Sequence, residues 1–560
     1  MVQLSQELLE RRWWLKSFDN DCRQSLNYPK YPAYEILRIS AGAEPNKAAI
    51  DFYGSEITFW ELQKYVVRLA NGLIESGIKK GDRVGILLPN CPQFVITFYA
   101  LLHCGAIVVN LNPMYTPDEL EVLARKTGMT GLVTFEGVVP NVKRLVQRFD
   151  IPFILVTKVS DFIDGSKIST SEELGLEKGW FHFSEFLAQC NNPSPPWIPI
   201  SHDDPAVIQF TGGTTGTPKG ATLTHHNLVV GTLNAAEWGK PIAGLVPVER
   251  RRMFCVLPYF HVYGEICCMA SSICGRSTQV LLPRFDLEEV MDTIERVEEM
   301  WYFPTVATMF SAILNHPRAK ELEIGRKIGL VNCGAAPTPL ELIKKARSMD
   351  IRIAQGYGMS ETTSLGITTP YSSVIKPGSI GIPYMDTDLR IIDSEGNDVP
   401  LGTPGEIILK SPLVMKGYWE DPEATANAIK DGWLYTGDVG YMDEDGYIFL
   451  VDRTKDMIIA GGYNIYPQEI DDVLFKHPQV KDVITIGIPD EYRGETVKSF
   501  VQLVEGATVT EAELIAFARE HLAAYKAPRF IEFRNELPRS SVGKALRRIL
   551  RDEEMAKTKQ

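Results

Sequence analysis

Between residues 58 and 156 the chain alternates helix-patterned stretches with short, continuous apolar runs, and no other feature narrows its possible folds as far. Thr58 and Glu61 form a capping-box pattern, in which hydroxyl and carboxylate each satisfy an N–H left open at a helix start. Leu62, Val66, Leu69 and Leu73 then recur at the spacing of one helix face until Gly77 stops the run. The turn Gly81-Asp82 leads into an apolar run at 84–88, followed by a helical stretch from about Gln93 and further apolar runs at 106–110, near Leu132 and at 153–156. Strands alternating with helices in this way predict a parallel sheet covered on both faces.

From about Asp388 the texture changes to short strands and turns. Runs at 389–392 and 405–410, the turn Ser394-Glu395-Gly396-Asn397 and the turn at 443–446 before a run at 447–451 predict a β-rich subdomain over about 388–452. Beyond Asp452-Arg453-Thr454-Lys455 the alternation resumes, with strands near 483–488 and 497–503 and a helix over about 510–522. The expected architecture is α/β: a large N-terminal domain (1–454) of stacked αβ subdomains plus the β-rich subdomain, and a small mobile α+β domain (455–560).

A chain of 560 residues, 44% of them apolar, is too long for one ordinary core. Its 58 basic and 71 acidic residues leave a net charge of −13, and the bases are scattered apart from Arg547, Arg548 and Arg551, which argues against nucleic-acid binding. No apolar run approaches the ~18 to 20 residues of a membrane span, and Arg11, Arg12, Trp13 and Trp14 stand where a signal peptide would be apolar, so a cytoplasmic location is expected. Nine cysteines without a C-x-x-C pair, three of them (Cys267, Cys268, Cys274) in an apolar stretch, read as buried free thiols rather than disulfides or metal ligands. The sequence is silent on assembly and leaves a homodimer open.

The sharpest chemical signal is Thr211-Gly212-Gly213-Thr214-Thr215-Gly216-Thr217-Pro218-Lys219-Gly220, directly after an apolar run at 206–210. A loop so dense in glycine and hydroxyls at a strand end can turn backbone amides and threonine hydroxyls toward phosphate oxygens, with Lys219 as a point charge. The spacing G-x-x-x-x-G-K-[ST] is absent, so a P-loop mechanism does not follow. Taken alone, the loop also suits a flexible surface segment.

Further along stand Gly334-Ala335-Ala336-Pro337, Gln355-Gly356-Tyr357-Gly358-Met359-Ser360-Glu361, Tyr435-Thr436-Gly437-Asp438, Asp452-Arg453-Thr454-Lys455, Gly461-Gly462-Tyr463-Asn464-Ile465-Tyr466-Pro467 and Leu537-Pro538-Arg539 with Gly543-Lys544. In this order and at these separations they resemble the signature blocks of the adenylate-forming superfamily, which holds acyl-CoA synthetases, luciferases and peptide-synthetase adenylation domains. The resemblance implies an AMP-forming acid–CoA ligase that uses ATP, Mg²⁺ and coenzyme A to convert a carboxylic acid through its acyl-adenylate to the thioester. It assigns the phosphates to Thr211, Gly213, Thr214, Thr215, Gly216 and Lys219, and the adenine to Tyr357 and the backbone of Gly334, Ala335 and Ala336, with Gln355, Gly356 and Gly358 in the same segment. It gives the ribose to Asp438 with Arg453 alongside, and Mg²⁺ to Glu361. Ser360 stands where the family more often has threonine, and its hydroxyl can still reach the α-phosphate or the new carboxylate. Read singly, Glu361 also suits a helix N-terminus, Tyr357 a core aromatic and Asp438 a turn.

The resemblance also divides the catalytic residues between two half-reactions. Lys544, in a segment similar to the family's G-K-x-L-R-R tail, would stabilise charge building on phosphate as the carboxylate attacks. Lys455 falls at the family's hinge, about which the small domain turns to bring Gly461, Gly462 and Tyr463 to the pantetheine arm of CoA. Without the other blocks both lysines read as solvated charges. The stretch Leu257-Pro258-Tyr259-Phe260-His261-Val262-Tyr263-Gly264 resembles the family's aromatic motif, with His261 where amino-acid-activating members carry aspartate. An amino-acid substrate is therefore not expected, and His261 either lines the carboxylate and thiol approach or is a core histidine. Trp301-Tyr302-Phe303-Pro304 is bulky for a wide lipid tunnel and points to a compact acyl group, medium-chain, alicyclic or aromatic. A carrier-protein-loading enzyme or a luciferase-like oxygenase would share every ATP residue named, and only the pantetheine-side motif favours free CoA.

Overall fold

A computed structural model describes residues 12–165, 168–211, 218–336, 338–453, 456–460, 463–490, 494–539 and 545–558. The helix over Phe59–Glu75 forms as its pattern dictates: Thr58 and Glu61 make both bonds of the capping box, and Leu62, Val66, Leu69 and Leu73 are fully buried. It packs on the helix Pro92–Cys104, whose every residue is buried and which ends at Gly105 in the left-handed conformation (φ +67°).

The alternating region builds an eight-stranded sheet in the order Gly417–Tyr418, Lys219–Thr224, Pro205–Thr211, Ile107–Asn110, Arg83–Leu87, Gly131–Phe135, Phe153–Thr157, Phe181–His182. Its six strands from Pro205–Thr211 to Phe181–His182 are parallel. The strands expected from the alternation over 58–156 are thus parallel, and at one edge Lys219–Thr224 and then Gly417–Tyr418, which that alternation did not cover, join antiparallel. The strands on either side of the Gly/Thr-rich stretch, Pro205–Thr211 and Lys219–Thr224, pair antiparallel, and strands so close in sequence can pair in no other way.

A second sheet runs Arg252–Cys255, Thr278–Leu281, Ala48–Phe52, Ser55–Thr58, and a third runs Phe303–Thr305, Val331–Cys333, Ile353–Tyr357, Ile367–Thr368, Ile382–Pro383. The β-rich stretch forms a sheet of Asp388–Ile392, Gly405–Lys410, Trp433–Met442 and Ile429–Lys430, with Ile448–Arg453 on Trp433–Met442. The last sheet lies wholly beyond it: Tyr463–Ile465, Ile458–Ala460, Gly494–Leu503 and Val480–Asp490, with Phe530–Phe533 beside Gly494–Leu503. It has its own apolar core, in which Ile458, Ile470, Leu474, Val501 and Leu514 are buried together.

The first described residues strap the large body together. Trp14, Leu15 and Phe18 are buried, Arg12 Nε donates to Asp388 Oδ1 (2.6 Å), and the Asp19 carboxylate accepts from the backbone N–H groups of Tyr371, Ser372 and Ser373 (2.7, 2.9 and 2.6 Å). All nine cysteines are unpaired, and among the described residues no helix is long and apolar enough to cross a membrane.

Candidate active site

The edge of the large sheet presents the first elements of the site. Thr211 ends one strand and Lys219 opens the next, directly opposite in register, and Thr211 Oγ1 donates to the Lys219 carbonyl (3.3 Å). Gly213, Thr214, Thr215 and Gly216 lie outside the described residues. The Lys219 ammonium stands over the Tyr418 ring, 5.2 Å from its centroid.

Two sheets meet at Tyr357 and Asp438. Tyr357, at the end of Ile353–Tyr357, donates its hydroxyl to Asp438 Oδ2 at 2.6 Å. Asp438 is 6% exposed and lies at a shift in register within its strand, where Thr436 Oγ1 accepts from the Asp438 N–H (3.1 Å) and Gly437 (φ +69°) donates its N–H to Glu406 Oε1 (3.0 Å). Arg453 is Asp438's partner in register on the neighbouring strand. The Gln355 side chain is tied down, its Nε2 donating to the Ser379 carbonyl (3.1 Å). Gly356 follows it on the strand, and Gly358 lies so close to the next turn that a Cβ there would sit 1.7 Å from the Ser364 carbonyl oxygen. Gly334 donates its N–H to the Thr305 carbonyl (3.1 Å), and Ala335 takes a left-handed conformation (φ +64°) with Ala336 after it. That backbone reversal after Val331–Cys333 is the kind of strain that collects where main chain must face a ligand.

Ser360 and Glu361 fall on a single 3₁₀ turn, Ser360–Thr362, packed against the strands that flank the Gly/Thr loop. Glu361 is 6% exposed, Oε1 accepts from the Tyr418 hydroxyl (2.8 Å), and its carbonyl accepts from the Met415 N–H (2.8 Å). A buried carboxylate whose partner is a neutral hydroxyl fits a hard divalent cation bridging phosphates, because the charge remains available.

His261 begins a short helix, its Nδ1 accepting from the Tyr263 N–H (3.2 Å). Its loop is pinned on several sides. Asn90 accepts from the Tyr259 N–H (2.7 Å) and donates to the Leu257 carbonyl (2.9 Å), and Gln209 Nε2 donates to the Phe260 carbonyl (2.8 Å). Behind it, Glu265 opens a π-helical turn with its carboxyl fully buried; one oxygen meets Asn110 Nδ2 and the other has no hydrogen-bond partner. Burial raises this carboxyl to about 8. Tyr302 and Tyr371 share a hydroxyl–hydroxyl bond (2.8 Å) that Asn332 Nδ2 joins (3.1 and 2.6 Å), and the Tyr263 hydroxyl donates to the Asn332 carbonyl (2.9 Å). Trp301 stacks on Tyr302 and donates to Ser277 Oγ (3.0 Å), which makes it a core plug.

Lys455, Gly461, Gly462 and Lys544 lie outside the described residues, and Tyr463 is placed by its backbone, paired with Ala460. Sequence reasoning missed Tyr418, Thr436 and Glu406, which hold Glu361 and Asp438 in place. The dipeptide Gly417-Tyr418 carries no local signal of such a task, because its partner lies 57 residues earlier.

The family profile described as "AMP-binding enzyme" matches residues 37–419, and that described as "AMP-binding enzyme C-terminal domain" matches 469–544. A long-chain-fatty-acid–CoA ligase of Bacillus subtilis (strain 168) is 39% identical over 97% of this chain and 98% of that protein. A feruloyl-CoA synthase of Amycolatopsis sp is 34% identical over 90% of this chain and 96% of its own length. Among solved structures, the anthranilate CoA ligase AuaEII in complex with anthranoyl-AMP superposes with a TM-score of 0.84 at 26% identity, covering 96% of this chain and 99% of that one. ATP-bound MatB from Rhodopseudomonas palustris superposes with a TM-score of 0.82 at 27% identity, covering 93% and 99%.

Proposed function

This chain belongs to the AMP-binding enzyme family and is an AMP-forming acid–CoA ligase of the adenylate-forming superfamily, and from that premise we propose how its residues divide the reaction. The observation that supports the division is the meeting of Tyr357 and Asp438 at one pocket while Lys219 and Glu361 share Tyr418 beside it. Asp438 accepts the ribose hydroxyls with Arg453 alongside, Tyr357 offers its face to adenine against the backbone of Gly334, Ala335 and Ala336, and Gln355, Gly356 and Gly358 shape that wall. Thr211, Gly213, Thr214, Thr215, Gly216 and Lys219 hold the phosphates, with the Ser360 hydroxyl toward the α-phosphate. Glu361 holds Mg²⁺, which when bound neutralises charge on the phosphates.

The carboxylate attacks the α-phosphorus and pyrophosphate leaves, with Lys544 stabilising the charge that builds on the phosphate oxygens. The small domain (455–560) then turns against the large one (1–454) about Lys455. Gly461, Gly462 and Tyr463 thereby line the path of the thiol, which attacks the acyl carbonyl and releases AMP, with His261 beside that approach. The unpaired state of all nine thiols supports a reducing, cytoplasmic setting.

For the acid, we propose an apolar monocarboxylate of the fatty-acyl kind, the class named for the B. subtilis relative. A second reading, a compact medium-chain, alicyclic or aromatic acid, is favoured by the close-packed Trp301, Tyr302 and Tyr371. One assay decides: incubation with ATP, Mg²⁺, CoA and acids from six to eighteen carbons plus aryl acids, following AMP and CoA thioester together. A kcat/KM maximum at long chains supports the first reading, and a maximum at short or aryl acids the second. AMP without thioester would overturn CoA as the acceptor.

A further inference from the structure

The segment 415–419 leaves the β-rich sheet and returns to the edge of the large sheet, crossing between two residues of the phosphate end of the site. Its backbone is fixed at every step: the Met415 N–H donates to the Glu361 carbonyl (2.8 Å), Lys416 to the Thr222 carbonyl (3.0 Å), Tyr418 to Thr425 Oγ1 (2.8 Å) and Trp419 to the Gly220 carbonyl (2.7 Å). Gly417 is held at φ +150° with Thr425 so near that a Cβ would sit 2.8 Å from it, so the strand can make this crossing only with glycine there. The side chain that this anchored backbone delivers is Tyr418, whose hydroxyl reaches Glu361 Oε1 at 2.8 Å while its face carries the Lys219 ammonium at 5.2 Å.

We propose that Tyr418 is a positioning residue that holds Glu361 and Lys219 apart and aimed, so that neither neutralises the other before the nucleotide arrives. The proposal rests on Glu361 as the metal ligand and Lys219 as a phosphate contact. A free ammonium on a strand and a free carboxylate on the turn packed against it close into an ion pair, and an ion pair has little charge left for phosphate or metal. The tyrosine gives each a neutral partner instead: the ring's negative face takes the cation and the hydroxyl takes the anion. Both contacts are weak enough to be exchanged for a phosphate oxygen and a metal ion, and both come from a side chain that the strand has already ordered.

The two contacts are separable by substitution. Tyr418→Phe keeps the ring under Lys219 and removes the hydroxyl from Glu361, whereas Tyr418→Leu removes both. Calorimetric titration with ATP, in Mg²⁺ or in EDTA and without acid or CoA, reads binding directly, and pyrophosphate exchange against Mg²⁺ concentration reads the metal requirement. Tyr418→Phe is expected to weaken Mg²⁺-ATP binding about tenfold and to raise the Mg²⁺ needed for half-maximal exchange, with metal-free ATP binding unchanged. Tyr418→Leu is expected to weaken both forms. Unchanged Mg²⁺ dependence in Tyr418→Phe, or equal loss with and without metal, overturns the proposal. Glu361→Gln separates the two ideas. If it shifts the Mg²⁺ requirement and Tyr418→Phe does not, the tyrosine proposal fails alone; if Glu361→Gln leaves the requirement unchanged, the metal-ligand reading fails with it.

Discussion

The Tyr357 hydroxyl donates to Asp438 Oδ2 across 2.6 Å, so a strand of the third sheet and a strand of the β-rich sheet are tied together by residues 81 apart in sequence, at the place proposed for the nucleoside. The carboxylate thus already has a partner, and in the proposed ribose role a sugar hydroxyl would replace or join the phenol. A hydrogen bond to a charged group contributes about 1.5–3 kcal/mol. Asp438→Ala should therefore raise the KM for ATP by roughly 10- to 100-fold in pyrophosphate exchange. Tyr357→Phe, which keeps the aromatic face, should stay within about threefold. A larger loss in Tyr357→Phe than in Asp438→Ala would reverse the roles of the two residues.

The division of labour between Lys544 and Lys455 is read by assaying each half-reaction separately. Lys544→Ala should abolish pyrophosphate exchange and leave thioester formation from supplied acyl-adenylate largely intact. Lys455→Pro should do the reverse, because a fixed φ at the proposed hinge would block rotation without touching the adenylation geometry. Parallel loss of both half-reactions in either variant counts against its assigned role.

Glu265 makes stability depend on pH in a stated direction. Its carboxyl, pushed from 4.5 up to about 8 by burial, holds a proton that the unfolded chain has already released. The stabilisation from that proton is complete below about pH 4.5 and is lost progressively as pH rises toward 8. Glu265→Gln, which cannot ionise, should match the native protein's melting temperature near pH 5 and exceed it increasingly up to pH 9. A constant difference across that range would mean that the carboxyl is not titrating in this window.

Gly358 tests the close packing behind Tyr357. A methyl group there would meet the Ser364 carbonyl oxygen at 1.7 Å, and backbone cannot yield as a flexible side chain can. Gly358→Ala should cost at least the ~1–3 kcal/mol of ordinary overpacking and weaken ATP binding by displacing the adjacent Tyr357. A variant with native melting temperature and ATP affinity would show that the turn rearranges freely.

What could be read from the sequence was local or chemical. The capping box at Thr58 and Glu61 and the buried stripe from Leu62 to Leu73 follow from spacing alone, and both appear as expected. The resemblance of the signature blocks assigned Asp438 to ribose, Glu361 to metal and Tyr357 to adenine, but gave none of them the protein partners that the structure shows. Tyr418 could not be found, because its task depends on a strand that crosses between sheets, and no period or motif marks such a crossing. The pairing of Ala48–Phe52 with Thr278–Leu281 and the antiparallel edge beside the Gly/Thr loop were hidden for the same reason. Pairing partners far apart in sequence are selected by packing, which local propensity does not encode.

The strap formed by Arg12 and Asp19 sets the order in which the protein can be completed during synthesis. Asp19 lies 352 residues before the first N–H it accepts from, and Arg12 lies 376 residues before Asp388. At translation rates of about 5–20 residues per second, the ribosome takes roughly 18 to 70 s to supply those partners. Throughout that interval the turn Trp13–Ser17 lacks its native neighbour Ile382–Pro383, although Trp238, on which Phe18 packs edge-on at 5.0 Å, is made earlier. The large domain is therefore completed by contacts that its end makes back onto its beginning, and a chain stopped before residue 371 lacks every backbone N–H that the Asp19 carboxylate accepts from.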